Sequence, residues 1–124
     1  GSDADWAVKL IDVFPPEVRD QPDLCGYVLM ISADIMRGCC LDDGTSPKVI
    51  APAKVLAYRV RMPAANHTFL PGHRLMVQVQ SSWFPLYDRN PQTFVPEVAK
   101  APAAAYKAAT QRIYASSYVE LPVR

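Results

Sequence analysis

The chain has 124 residues, half of them hydrophobic and a fifth charged, and its thirteen basic and twelve acidic side chains leave a net charge of +1. That length makes a single domain able to hide about two-thirds of its unfolded surface without metal or disulfide staples. Near-neutrality with no Lys/Arg run excludes the electrostatic footprint of a nucleic-acid or anionic-membrane binder, and no apolar stretch reaches the ~18 residues of a membrane helix.

In chain order, "DWAVKLIDVF" sets Trp6, Val8, Leu10 and Phe14 on one side and Ile11 and Val13 on the other. Apolar residues on both sides predict a covered, central strand. Pro15 and Pro16 close it. "GYVLMISADI" is almost continuously apolar and reads as a second central strand. Between Gly38 and Ala53 the pattern fades, and "DDGTSP" has turn chemistry, which predicts a long connection. "KVLAYRVRM" puts Leu56, Tyr58, Val60 and Met62 on one face and Arg59 and Arg61 on the other; "RLMVQVQ" does the same with Leu75, Val77 and Val79 against Gln78 and Gln80. Of the rest, only "KAPAAAYKAAT" has helical composition, with Pro102 suited to a first turn, and "SYVELPV" alternates once more.

Twelve prolines punctuate these runs, which is the grammar of an all-β domain. The expected fold is a jelly-roll β-sandwich of roughly six to eight strands with one short helix at about Pro102 to Ala109.

Cys25, Cys39 and Cys40 form no C-x-x-C and no zinc spacing. Adjacent Cys39 and Cys40 are not expected to pair with each other; the open alternatives are reduced structural thiols, or a bridge from Cys25 to one of them. Nucleophilic catalysis lacks its motif, since there is no G-x-S-x-G and no glycine flanks Ser81 or Ser82. His67, in "AANHTF", and His73, in "PGHR", are expected to make structural hydrogen bonds. "DDG" at 42–44 reads as a turn rather than a calcium loop, and the few glycines form no phosphate cradle. No catalytic, metal or cofactor-binding residue is therefore assigned.

The stretch "SSWFPLYDRNP" is the exception to this plain reading. Trp83, Phe84 and Tyr87 would forfeit roughly 1.5–3 kcal/mol each if left in water. Three readings stay open. The rings plug one end of the chain's own sandwich, a neighbouring domain covers them, or they form a stacking platform for a ligand such as a carbohydrate. Asp88 and Arg89 are adjacent and poorly placed to pair face to face, so each is expected to seek another partner; Asn90 before Pro91 suits a turn.

"DADWAVKLIDVFPP", "AANHTFLPGHRLMVQVQSSWFPLYDRNPQTF", "ATQRIY" and "ELPV" occur in an order that resembles the C-terminal domain of one group of serine hydrolases. The group comprises the α-amino-acid ester hydrolases, the cocaine-esterase-like enzymes, the related cephalosporin acylases and the X-Pro dipeptidyl-peptidases. The resemblance runs from about Asp3 to Val123. It departs from the usual pattern at "CCLDDGTSP" and in the short "ASSYV" before "ELPV". It implies that residues 1–124 are a single jelly-roll domain, the C-terminal fragment of a larger hydrolase, with the Ser-His-Asp triad and oxyanion donors in preceding domains. The expected role is accessory: no catalysis of its own, but packing on the N-terminal α/β-hydrolase and cap domains of the same polypeptide to help enclose the active-site entrance. By composition and family layout, Asp3, Asp5, Trp6, Trp83, Phe84, Tyr87, Asp88, Arg89 and Asn90 are the candidate interdomain contacts. A freestanding ligand-binding jelly roll and a homo-oligomeric interaction module are the rival expectations.

Overall fold

In the computed structural model, which describes residues 1–41 and 46–122, three strands form one antiparallel sheet of order β2-β1-β3. They are β1, Asp5–Val13; β2, Val28–Arg37; and β3, Arg74–Gln80. β1 is central as expected. Asp5 pairs with Arg37 and Val13 with Val28 on one side, and Ala7 with Gln80 and Val13 with Arg74 on the other. The β1–β2 register shifts between Leu10 and Ile11, where Ile31 is left over on β2; such a bulge increases the local twist.

The domain is all-β. The helix expected near Pro102 to Ala109 reduces to a three-residue 3-10 turn, Ala103–Ala105, with Pro102 extended before it. An alanine run this short cannot repay the cost of nucleating a helix unless it buries a face, and Ala103 and Ala104 stay exposed. Further 3-10 turns lie at Pro22–Leu24, Gly38–Cys40 and Val98–Lys100. "GYVLMISADI" was expected to be central, but β2 is an edge strand; Val28 and Met30 are about half exposed. The turn expected at 42–44 lies outside the described residues.

Both faces of the sheet are overlaid by chain that forms no ladder. On the face of Trp6, Leu10 and Asp12 lies the run 54–67. Tyr58 packs on Trp6 at 5.4 Å between ring centroids, and Ser32 Oγ donates to the Pro63 carbonyl at 2.8 Å. This run keeps the expected alternation, with Leu56, Tyr58, Val60 and Met62 half-buried and Arg59 and Arg61 exposed, yet it is not hydrogen-bonded as a strand. The other face bears Lys9 and meets the loop after β3 through Trp83. Among the described residues the buried apolar core is small: Ala4, Ala7, Leu10, Ile11, Cys39 and Val98. Sixteen large apolar side chains among the described residues are exposed, and the accessible surface is 9198 Å². A freestanding folded chain of 13.7 kDa exposes about 6,600 Å² by the usual mass scaling.

Candidate interdomain contact site

The candidate residues gather at the end of the sheet where β1 begins and β2 and β3 finish. Three of them turn inward. Asp3, Asp5 and Asn90 are nearly inaccessible, and the two hydrogens of Asn90 Nδ2 go to Asp3 Oδ2 and Asp5 Oδ1, both at 2.9 Å. Asn90 Oδ1 accepts from the Gln92 N–H at 2.7 Å, which fixes the amide orientation; the reverse would point oxygen at two carboxylates. Asp3 Oδ1 also accepts the N–H groups of Ala4 and Cys39, at 2.8 and 3.0 Å. Burial raises the Asp5 carboxyl above its ordinary value, against the opposing hydrogen bond from Asn90 and the charge of Arg37, whose Nε lies 3.4 Å from Asp5 Oδ1.

Close backbone approach completes this corner. The Gly38 N–H donates to the Ala4 carbonyl at 2.7 Å, and a Cβ at Gly38 would stand 2.9 Å from that same oxygen. The neighbouring Cys39 thiol is pushed up to about 12, mainly by burial and then by the Asp3 charge. All three cysteines are free thiols, so the alternative of a Cys25 bridge is set aside.

The rings turn outward to different degrees. Trp83 is half-buried under Lys9 Nζ, 4.5 Å from the ring centroid, and Tyr87 tilts against it at 5.9 Å. The Tyr87 N–H closes the loop onto the Trp83 carbonyl at 3.0 Å, and the Phe84–Pro85 peptide is cis. Phe84 is 62% exposed, Leu86 65% and Tyr87 41%. Arg89 stacks over Phe84 at 5.4 Å, and Asp88 and Arg89 are both exposed and form no pair with each other. Trp6 stands apart, half-buried against Tyr58.

A second polar centre escaped the sequence reading. Asp12, 1% exposed, accepts from His67 Nε2 at 2.8 Å and from His73 Nδ1 at 2.9 Å. His67 and His73 make the structural hydrogen bonds expected of them, and they share one acceptor. The available signal was the aspartate itself, placed in register with Leu10 and Phe14 on a dry face, where a lone carboxylate needs donors. The arrangement has the carboxylate and imidazoles of an acid–base relay. It lacks a nucleophile, because no described hydroxyl or thiol hydrogen-bonds to either ring. It clamps the 63–73 segment to β1.

Comparison with known proteins accords with this geometry. Residues 1–117 match the family described as the X-Pro dipeptidyl-peptidase C-terminal non-catalytic domain. A cocaine esterase from Rhodococcus sp. (strain MB1 Bresler) is 37% identical over 91 residues, which are 73% of this chain and 14% of the esterase. Among solved structures, an aminopeptidase from a marine sediment Thaumarchaeota archaeon superposes with a TM-score of 0.83 at 62% identity, over 86% of this chain and 18% of the aminopeptidase. An α-amino acid ester hydrolase gives the same TM-score at 52% identity, over 86% of this chain and 17% of the hydrolase. The chain thus spans less than a fifth of each of these relatives.

Proposed function

The chain belongs to the X-Pro dipeptidyl-peptidase C-terminal non-catalytic domain family, and from that premise we propose that it is the accessory jelly roll of a serine esterase, acylase or peptidase. It packs on the α/β-hydrolase and cap domains of the same polypeptide and completes the wall of the active-site entrance. The observation that carries this reading is the exposed surface. The 9198 Å² exceeds the freestanding expectation by about 2,600 Å², several times the ~800 Å² that one partner contributes to a standard interface. A chain with that much surface in excess, and with Phe84, Leu86 and Tyr87 exposed on it, is suited to being covered.

The contact is made by Phe84, Leu86, Tyr87, Asp88 and Arg89. Behind them, Asn90 anchors the loop to Asp3 and Asp5, so these three hold the docking loop in place rather than touching the neighbour. The contribution to catalysis is preorganisation, a rigid wall that keeps loops of the catalytic domain within tolerance.

The stacking-platform reading has less support, because one face of Trp83 is taken by Lys9 and one of Phe84 by Arg89. The test is the full-length polypeptide with Phe84→Ser and Tyr87→Ser together. Its thermal midpoint should fall and its KM rise, while the same pair leaves the stability of the isolated 124 residues nearly unchanged. Unaltered stability and kinetics in the full-length protein would refute the placement.

A further inference from the structure

Arg37, Arg59 and Arg61 line one cleft of about 320 Å³ between the end of β2 and the overlying run, with Ile35 and Val60 as apolar lining and Asp34 as the one acid among its lining residues. Among the described lining residues the charges do not balance. Asp34 Oδ1 is already engaged by the Ile35 N–H at 2.7 Å, and Arg37 reaches Asp5 only through Nε at 3.4 Å. Arg59 and Arg61 form no ion pair or hydrogen bond with any described residue. They stand two residues apart on the exposed side of an extended run, which puts two like charges in the same cleft.

We propose that this cleft is a second docking point, which receives carboxylate side chains from the preceding domains of the same polypeptide. The inference rests on the docking reading above and adds the chemistry of the partner surface: acidic, and presented to forked guanidinium groups that bind carboxylates bidentately. Three observations converge on it. The unbalanced positive charge calls for an acidic complement. The relatives carry more than four-fifths of their length outside the region matched by this chain. The cleft also lies at the same end of the sheet as the ring loop, on the opposite face, because Arg37 contacts Asp5, Asp5 takes a hydrogen from Asn90, and Asn90 ends that loop. Rings and arginines therefore share one end of the sheet, one supplying apolar area and the other register. The three guanidinium groups would select orientation, since a like-charged or neutral surface would leave them desolvated without partners.

The experiment is arginine-directed dicarbonyl modification, mapped by mass spectrometry, on the full-length polypeptide and on the 124-residue chain. Phe84 and Tyr87 are footprinted in the same samples. Arg59 and Arg61 should react at least about tenfold more slowly in the full-length protein, as paired and desolvated guanidinium groups do. Salt of about 0.5 M should erase much of that protection. R59Q/R61Q should lower the thermal midpoint of the full-length protein and not that of the isolated chain, with R59K/R61K intermediate. Equal modification rates in the two proteins, with Phe84 and Tyr87 still protected, would overturn the arginine cleft and leave the docking reading standing. Loss of protection at the rings as well would overturn both.

Discussion

Asn90 hands one amide hydrogen to Asp5 and the other to Asp3, both at 2.9 Å, and so ties the loop after β3 to the first strand across 85 residues of chain. Two buried carboxylates share this one nitrogen. Asn90→Ala should cost about 2–3 kcal/mol, the loss of hydrogen bonds to charged acceptors that stay buried. Asn90→Asp should cost more, because it adds a third negative group. Urea unfolding midpoints of the two variants, set beside Gln92→Ala as a neighbouring control, check the ranking.

Asp5 gives the molecule a signed pH dependence. Its folded-state value is raised by burial above the ordinary 3.8, so the folded chain holds this proton more tightly than the unfolded one. Below the ordinary value the group is protonated in both states, and its contribution to stability is fully present. As pH rises through the raised value that contribution is lost. Asp5→Asn should therefore gain stability relative to the parent as pH climbs from about 4 towards 7. Denaturation midpoints across that range should show the gap moving in favour of the variant; a gap that moved the other way would contradict the assigned cause.

Thiol reactivity should separate the three cysteines. Cys25 is exposed and Cys39 is buried, with the Cys39 thiol pushed up to about 12. Alkylation near neutral pH proceeds through the thiolate, so Cys39 should react roughly a thousandfold more slowly than an ordinary exposed thiol. Peptide mapping after timed iodoacetamide treatment should show Cys25 modified first. Early modification of Cys39 would mean that its corner opens readily.

The Asp12 clamp predicts a structural penalty and no chemistry. Asp12→Ala leaves two imidazoles without their acceptor and should destabilise by about 2–4 kcal/mol, more than His67→Ala at about 1 kcal/mol. The 124-residue chain should hydrolyse no aryl ester above background at any pH. Turnover that Ser82→Ala or His73→Ala abolished would contradict the non-catalytic assignment.

The strands were legible where side-chain alternation alone decides them. β3 matches "RLMVQVQ" closely, because one dry face imposes a period of two, and β1 matches "DWAVKLIDVF", whose apolar residues on both sides mark a covered strand. In the run 54–62 the alternation was equally legible and the partner was not. Burial of Leu56, Tyr58 and Val60 needs only a surface to lie on, whereas a ladder needs an adjacent strand, and periodicity says nothing about adjacency. The same gap explains β2, whose apolar composition reads as central although it occupies an edge. Pairing is non-local, and an apolar edge strand can have the composition of an interior strand. For the site, ring composition singles out 83–87, where Phe84 and Tyr87 are exposed. It could not separate Asp3, Asp5 and Asn90, which look inward, from Asp88 and Arg89, which look out, because short polar residues next to a proline serve equally well as anchors and as contacts.

The most direct test of the central claim is hydroxyl-radical footprinting of Phe84, Leu86 and Tyr87 in the full-length polypeptide and in the isolated 124 residues. If the domain exists to be covered at this end, these three side chains are shielded in the long protein and freely oxidised in the short one, while half-buried Trp83 changes less. Equal oxidation of Phe84, Leu86 and Tyr87 in both would mean that nothing docks there, and the proposed role would fall with it.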